Sequence, residues 1–251
     1  MGFFGDLLED FLAVFKNDPE SQLKRHAKKV VNLNAQSEDR QFSAEWLAEN
    51  GSPEAIAALL RRFAVHYEHQ TKDKNEKELI YRLLQRVGPD IVPTTKKWML
   101  HNVEFAMPLM LIEHFEGEDS VIQILLDMLA RENNPEQTDL FKFQKRQQLL
   151  IHLSNFNNDA IIEAVAPCLK DFNEDVRFAA IEALGKQNNP AAQPLLLDAL
   201  RNPSEESNRL RFRIAQFFQE HDWDLSDKAS EVEAILPNGW AIVDNKLQSI
   251  A

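Results

Sequence analysis

The feature that most restricts the fold of this chain is a helical hairpin pattern that recurs along it. Within 175–185, five apolar residues follow the spacing of one helix stripe: Val176, Ala179, Ala180, Ala183 and Leu184. After Asn189 and Pro190, which suit an N-cap and a first helical turn, a second stripe follows: Ala192, Leu195, Leu196, Ala199 and Leu200. The two stripes predict two helices joined by a tight turn.

The same hairpin recurs upstream. A shift of 137 positions aligns six pairs: Glu38 with Asp175, Arg40 with Arg177, Leu47 with Leu184, Pro53 with Pro190, Leu59 with Leu196, and Leu60 with Leu197. With four repeats in between, each repeat has about 34 residues, a length typical of helical solenoids. Further copies of the arginine position stand at Arg146 and Arg211.

Stacked hairpins of this kind predict an all-α fold, an α-solenoid. We expect a right-handed superhelix of about six helix pairs, with a continuous core and no domain boundary. The predicted pairs are 37–50 with 53–66, 75–87 with 89–101, 104–116 with 118–131, 138–156 with 158–170, 173–187 with 190–202, and 205–221 with 226–235.

The two ends of the chain differ from the repeats. Residues 1–36 predict N-terminal capping helices, about Phe3 to Phe15 and 18–33, before the repeats at 37–236. The polar stretches 69–78 and 132–139 are expected to be longer loops between helices. Residues 237–251 predict a short C-terminal β-hairpin that turns at Asp244-Asn245 and caps the last repeat, or else a disordered tail.

Composition narrows the classes of function. The 251 residues carry 28 Lys and Arg against 40 Asp and Glu, a net charge of −12, and the whole excess lies in residues 101–251. Because phosphates must be neutralised by cations, no nucleic acid is expected as a partner. The single Cys168 permits no internal disulfide, and no apolar run approaches the roughly 18 residues that a membrane span needs. We therefore expect a cytoplasmic protein.

The hairpin at 173–202 resembles the HEAT-like repeats first named in phycobilisome lyases. The resemblance rests on Asp175-Val176-Arg177, Ala180, Ala183-Leu184-Gly185, Pro190 and the run 196–200, and it is next best at 37–66. In such repeats the acidic residue caps the first helix, and the arginine two residues later bridges to neighbouring repeats. The resemblance implies this structural role for the following residues: Glu38, Arg40, Arg146, Asp175, Arg177 and Arg211.

Candidate catalytic and metal-binding residues are few. His66 and His69 are three residues apart at a predicted helix end, where the helix dipole favours cations in any case. The His-Glu dipeptide of HEAT-type hydroxylases is absent, and so are the G-x-S-x-G and G-x-G-x-x-G motifs. Cys168 lies on the apolar side of its predicted helix. We expect no catalytic residue, no metal and no cofactor.

Two surfaces near the N-terminus are candidate binding sites. Four cations share one face of the predicted helix 18–33, and Arg61 and Arg62 are expected nearby. The candidate partner-binding residues are thus Lys24, Arg25, Lys28, Lys29, Arg61 and Arg62, as a surface for an acidic partner. The second candidate surface is a broad apolar stripe formed by Phe3, Phe4, Leu7, Leu8, Phe11, Leu12 and Phe15. It packs on helix 18–33, forms a homodimer contact or binds a membrane surface.

The resemblance implies a non-catalytic protein–protein interaction scaffold that uses the concave surface formed by the second helices. Its partner is an unidentified protein. Two alternatives stay open. One is an enzyme or enzyme subunit of the bilin-lyase-like class, which needs a deep pocket with an acid or base beside it. The other, disfavoured by charge, is a nucleic-acid-binding protein of the alkylpurine-glycosylase type.

Overall fold

The computed structural model describes residues 18–133, 140–187 and 189–250. Its contacts form two compact units that meet after Val121. The first unit contains α1 (Pro19–Lys29), α2 (Ser37–Asn50), α3 (Pro53–Leu60), α4 (Gln70–Val87), α5 (Val92–Met99) and α6 (Ala106–Glu116), with 3₁₀ turns at Arg61–Ala64 and Pro89–Ile91. The division falls inside α7 (Glu118–Glu132).

The second unit continues from α7 with helices and one small sheet. Its helices are α8 (Leu140–Leu153), α9 (Asp159–Val165), α10 (Glu174–Gly185), α11 (Ala192–Leu200), α12 (Asn208–Glu220) and α13 (Ala229–Glu233), with a 3₁₀ turn at Ala166–Lys170. Strands β1 (Trp240–Val243) and β2 (Lys246–Ser249) form an antiparallel pair. No helix within the described ranges has the length and apolar character that a bilayer crossing requires.

Helices pack in the order that a solenoid requires. In the first unit, α2 contacts its pair mate α3 and also α4, which is the first helix of the next pair, and α4 contacts α6 in turn. In the second unit, α10 contacts both α8 and α12. We use "first helices" for α2, α4, α6, α8, α10 and α12, and "second helices" for α3, α5, α7, α9, α11 and α13. The predicted all-α solenoid class is confirmed.

The core follows the predicted apolar stripes. All five stripe residues of α10 are buried, namely Val176, Ala179, Ala180, Ala183 and Leu184. In α11 the buried face is rotated slightly from the prediction, because Leu197 is buried where Leu195 is half-buried. The predicted N-cap at Asn189 is wrong, because α11 begins at Ala192 and its N-cap is Ala191, with no side-chain cap. Asn189 instead accepts the Ala191 N–H and closes the turn before the helix.

The C-terminal β-hairpin is confirmed. Trp240 pairs with Ser249 and Val243 with Lys246, which leaves Asp244 and Asn245 as a two-residue turn. Both turn residues have positive φ, 50° and 62°, as a hairpin of this twist requires. Strand β2 packs on α12, which is the last of the first helices along the chain. The hairpin therefore covers the end of the repeat stack, as predicted for a cap.

The predicted loop at 69–78 is wrong, because α4 begins at Gln70. Its first turns carry no apolar stripe, and the side that they turn towards the protein is made of half-buried charged residues. Asp73 and Glu76 accept hydrogen bonds from Arg62, and Lys77 pairs with Asp73 across one helical turn. The predicted helix at Phe3–Phe15 and most of the predicted loop at 132–139 lie outside the described residues.

Candidate functional site

Three repeat arginines in the second unit share one bonding pattern. Arg177 donates to the backbone oxygens of Asp171 and Phe172, just before its own helix, at 2.8 and 3.1 Å. It also holds the Glu205 carboxylate, just before the next first helix, with bonds of 2.7 and 3.1 Å.

Arg146 pairs with Asp171 at 3.0 Å and reaches the Glu132 carbonyl, and Arg211 reaches the Asn202 carbonyl. Each arginine thus fastens the segment before its helix. Arg146 and Arg177 also engage the segment after their hairpins. The acidic partners follow the repeat, since Asp171 and Glu205 are 34 positions apart, like Arg177 and Arg211.

The equivalent arginine in the first unit belongs to a larger buried network. Arg40 binds Glu76 through Nε and Nη2 and donates to the Ala35 carbonyl. Arg62, only 1% exposed, binds the same Glu76 and also Asp73, at 3.1 and 2.8 Å. Both guanidinium groups lie over the ring of Tyr67. Burial raises the pKa of Glu76, but the bonds and charges of the two arginines outweigh it and leave that pKa lowered.

The predicted capping role of Asp175 and Glu38 is wrong. The N-cap of α10 is Asn173, whose side chain accepts from the N–H groups of Asp175 and Val176. Asp175 instead pairs with Arg209 of the next first helix at 3.1 Å. Glu38 lies exposed in the first turn of α2, whose N-cap Gln36 makes no side-chain cap. An acidic residue two or three positions into the helix still favours the positive end of its dipole.

The six predicted partner-binding residues do not form one surface. Arg62 is wrong as a surface residue, because it is buried in the Glu76 network. Lys24 pairs with Glu20, and Lys29, half-buried, pairs with Asp39. Arg25, Lys28 and Arg61 are exposed. On α1, Arg25 and Lys28 therefore remain as exposed cations without an ion pair among the described residues. A different side of the same helix buries His26, which the sequence analysis did not single out.

Large apolar side chains that are exposed lie on first helices, in loops and at the C-terminal hairpin. Within the described ranges they are Phe42 on α2, Met110 on α6, Ile151 on α8, Phe212 on α12, Val103 and Phe172 in loops, Val243 on β1 and Ile250 after β2. None of these lies on a second helix. Exposed apolar side chains are the usual anchors of protein interfaces. In each unit taken by itself, the first helices and the loops beside them are therefore the candidate interaction surface.

In the second unit this surface has a defined geometry. The guanidinium of Arg209 lies 3.9 Å from the ring centre of Phe178, and Phe212, 43% exposed, meets the buried Trp240 edge-on at 5.7 Å. Phe178 and Phe212 are 34 residues apart and thus occupy equivalent repeat positions. We name Phe178, Phe212 and Trp240 the aromatic row. Phe172, in the loop before α10, is 73% exposed and lies 5.8 Å from the Arg146 guanidinium.

Two groups that a catalyst or a metal could use, His221 and Cys168, have structural partners here. The part of the chain that the structure describes contains no cluster of three or more His, Cys, Asp or Glu suited to a metal. His221 donates from Nε2 to the Gly185 carbonyl at 2.7 Å. Burial raises the pKa of the Cys168 thiol to about 11, and its nearest polar partner is Asn133. A thiol in this state is a poor nucleophile.

We expect Cys168 to be inert in the folded protein. At pH 8 a maleimide probe should label the native chain at a small fraction of the rate at which it labels the chain in urea, because the thiol is only 2% exposed and stays protonated. Mass spectrometry of the intact chain measures the labelled fraction. Labelling at equal rates with and without urea would contradict the burial of Cys168.

The ion pair between Arg177 and Glu205 predicts a loss of stability in acid. Burial raises the pKa of Glu205, yet the Arg177 bonds and the Ser207 N–H outweigh it and lower that pKa. A lowered carboxyl pKa stabilises the fold above the unfolded-state pKa, and this contribution is lost as the pH falls through the native value. The free energy of unfolding should therefore fall below about pH 5, and Glu205→Gln should flatten that slope.

The neighbouring Glu206 is exposed and provides the control. Urea titrations at a series of pH values, followed by circular dichroism, should show a slope for Glu206→Gln equal to that of the unchanged chain. Equal slopes for both variants would mean that Glu205 does not titrate differently in the folded state.

Helix pairs in which each first helix contacts the next first helix define α-solenoid proteins. Over residues 141–215 the repeat is the HEAT repeat, since this stretch matches the family model described as HEAT repeats. The recognition made from the sequence is thereby confirmed.

Two solved structures are similar to this chain. Human deoxyhypusine hydroxylase in complex with glycerol is 16% identical, with 82% of this chain and 75% of that chain covered and a TM-score of 0.40. An engineered protein is 17% identical, with 78% and 96% covered and a TM-score of 0.39. Likeness at this level carries no argument about activity. A comparison with curated proteins finds no match.

Proposed function

We propose that the chain is a non-catalytic scaffold that binds a protein partner through the first-helix surface of its second unit. The observation that carries this proposal is the exposure of Phe172, over whose ring Arg146 lies, and of Phe212, which shares α12 with Arg209. Both stand on elements fixed by the arginine pattern. Aromatic side chains and arginine supply most of the binding energy at protein interfaces. Because the backbone under them is already ordered, little entropy is lost on binding.

The buried carboxylates at two cavities of the first unit also support a non-catalytic role. A cavity of ≈ 170 Å³ has Arg40, Arg62 and Glu76 in its wall, and a cleft of ≈ 500 Å³ has Asp73 and Lys77. These groups bind one another, as Glu76 does with both arginines and Asp73 with Lys77. A carboxylate held between cations stays ionised and makes a weak acid or base at neutral pH. The enzyme class stays an alternative prediction.

The test compares two double variants of the full chain as baits in a lysate of the native organism. Phe172→Ser with Phe212→Ser removes the exposed aromatic anchors. Glu163→Ser with Pro194→Ser changes exposed residues on the second helices of the same unit. We expect a partner that binds the unchanged chain and the second-helix variant, and binds the aromatic variant at least about tenfold less, as the loss of an interface anchor predicts.

The opposite pattern, loss with the second-helix variant alone, would place the partner on the concave surface predicted from the sequence. Retention of no protein by the unchanged chain would overturn the scaffold role. Quantitative mass spectrometry of the retained proteins distinguishes these results, and circular dichroism checks that both variants are folded.

A further inference from the structure

Among the described residues of the first unit, an aromatic face lies exposed where α1 packs on α2. Phe42, on α2, is 61% exposed. Beside it, Trp46 stacks on the buried ring of His26 with 4.4 Å between ring centres, and the centres of Phe42 and His26 are 5.8 Å apart. His26 is fixed from below by Ser43 at 3.1 Å. We name Phe42, Trp46 and the His26 ring beneath them the Phe42 face.

The α1 side of this face carries one exposed cation. Arg25 directly precedes His26, and the described residues offer it no ion pair. Lys28 is two residues after His26 and therefore projects from nearly the opposite side of the helix. Lys29 pairs with Asp39 at 3.5 Å across the seam between α1 and α2. An apolar face with a cationic edge fits an amphipathic helix whose polar side is acidic.

The chain itself contains such a helix sequence, directly before α1. Residues 1–17 lie outside the described residues, and their sequence places the apolar stripe from Phe3 to Phe15 opposite Asp6, Glu9 and Asp10. The segment ends at Asp18, which caps α1 by accepting the Ser21 N–H. At about 1.5 Å per residue, a helix over 3–15 would be about 20 Å long, comparable with the length of α1.

We propose that the N-terminal segment 1–17 docks its apolar stripe on the Phe42 face of the same chain, with its acidic side towards Arg25. Because the connection to α1 is short, the chain's own segment should occupy this face in preference to the same segment of a second copy. A tethered segment has an effective concentration in the millimolar range, far above that of free chains in a micromolar solution. The Phe42 face is then occupied within the chain and is distinct from the partner surface of the second unit.

Cross-linking of the full chain tests this inference, because Cys168 is buried and stays unlabelled in the folded state. The test variant carries Ala13→Cys and Gln41→Cys, which leave the apolar stripe and Phe42 in place, and it is treated with a short bismaleimide. The control carries Ala13→Cys and Asp90→Cys, since Asp90 is exposed in the same unit and lies before α5. A 1:1 mixture of ¹⁵N-labelled and unlabelled chains shows whether a cross-link joins one chain or two.

We expect an intrachain cross-link for the test pair, independent of dilution and about tenfold above the control, as a tethered contact requires. Cross-links of mixed isotope composition would overturn the proposal in favour of a second copy. Equal yields for the test and control pairs would show that the segment does not dock on this face.

Hydrogen exchange gives a second measurement that does not need cysteines. Phe42→Asp should remove protection of amides in residues 3–15, whereas Phe42→Leu should keep it. Because Phe42 is mostly exposed, both variants should fold, which amide protection in α2 and α3 checks. Unchanged protection in Phe42→Asp would contradict docking at this face.

Discussion

Glu76→Gln should lower the free energy of unfolding of the first unit by about 3–5 kcal/mol, the cost of breaking a buried ion pair by removing one partner. The substitution keeps the shape of the side chain and removes the only charge that both Arg40 and Arg62 share. Arg62 retains Asp73, but Arg40 retains only carbonyl partners near its own helix. Two buried guanidinium groups would then face each other without the carboxylate between them.

The matched control for this substitution lies two positions along the same helix. Glu78 is exposed and pairs only loosely with Lys74, at 3.8 Å. Glu78→Gln should therefore change the free energy of unfolding by no more than about 0.5 kcal/mol. Hydrogen exchange of amides in α2 and α4 measures the stability of the first unit by itself. Equal, small effects of the two substitutions would mean that the Glu76 network contributes specificity and little stability.

The Glu76 network also shows which part of the fold apolar patterns in the sequence do not predict. Apolar periodicity predicted α10 and α11, and the shift of 137 positions carried that prediction upstream to α2 and α3. The hairpin at 240–249 was predicted from two short strand-like runs around a two-residue turn. The start of α4 was missed, since the side that it turns towards the protein is Asp73, Glu76 and Lys77, which look solvated in a sequence. Their burial depends on Arg40 and Arg62, which are 36 and 14 positions away from Glu76.

The candidate site was predictable only in part. The repeat arginines were found from a spacing of about 34 residues, and the same spacing would have found their partners Asp171 and Glu205. The role of Asn173 as N-cap was missed, because the resemblance assigned capping to the acidic residue two positions later. Which face keeps Phe172 and Phe212 exposed depends on the packing of neighbouring pairs, and a single repeat does not encode it.

Gly185→Ala should destabilise the second unit by about 2–3 kcal/mol, the scale of overpacking in a tight core. At an ordinary position inside a helix, the change from glycine to alanine raises the free energy of unfolding by about 0.5–1 kcal/mol. A decrease at position 185 would therefore identify the clash. Here a Cβ at position 185 would stand 2.3 Å from ring atoms of Phe217 in the next first helix. That ring is buried and has the Arg213 guanidinium 3.8 Å from its centre, so it has little freedom to withdraw.

The clash with Phe217 predicts that the two positions are coupled. Phe217→Ala alone should cost stability through the cavity that the ring leaves. Alanine also removes Cγ, which would stand 2.5 Å from the new Cβ and which leucine would keep. Combined with Gly185→Ala, Phe217→Ala should cost at least about 1 kcal/mol less than the sum of the single substitutions, because the new methyl group enters the vacated space. Urea titrations of the four chains give this coupling energy. Additive effects would show that helix α10 avoids the contact by shifting, in which case glycine at this repeat position serves something other than close approach of neighbouring first helices.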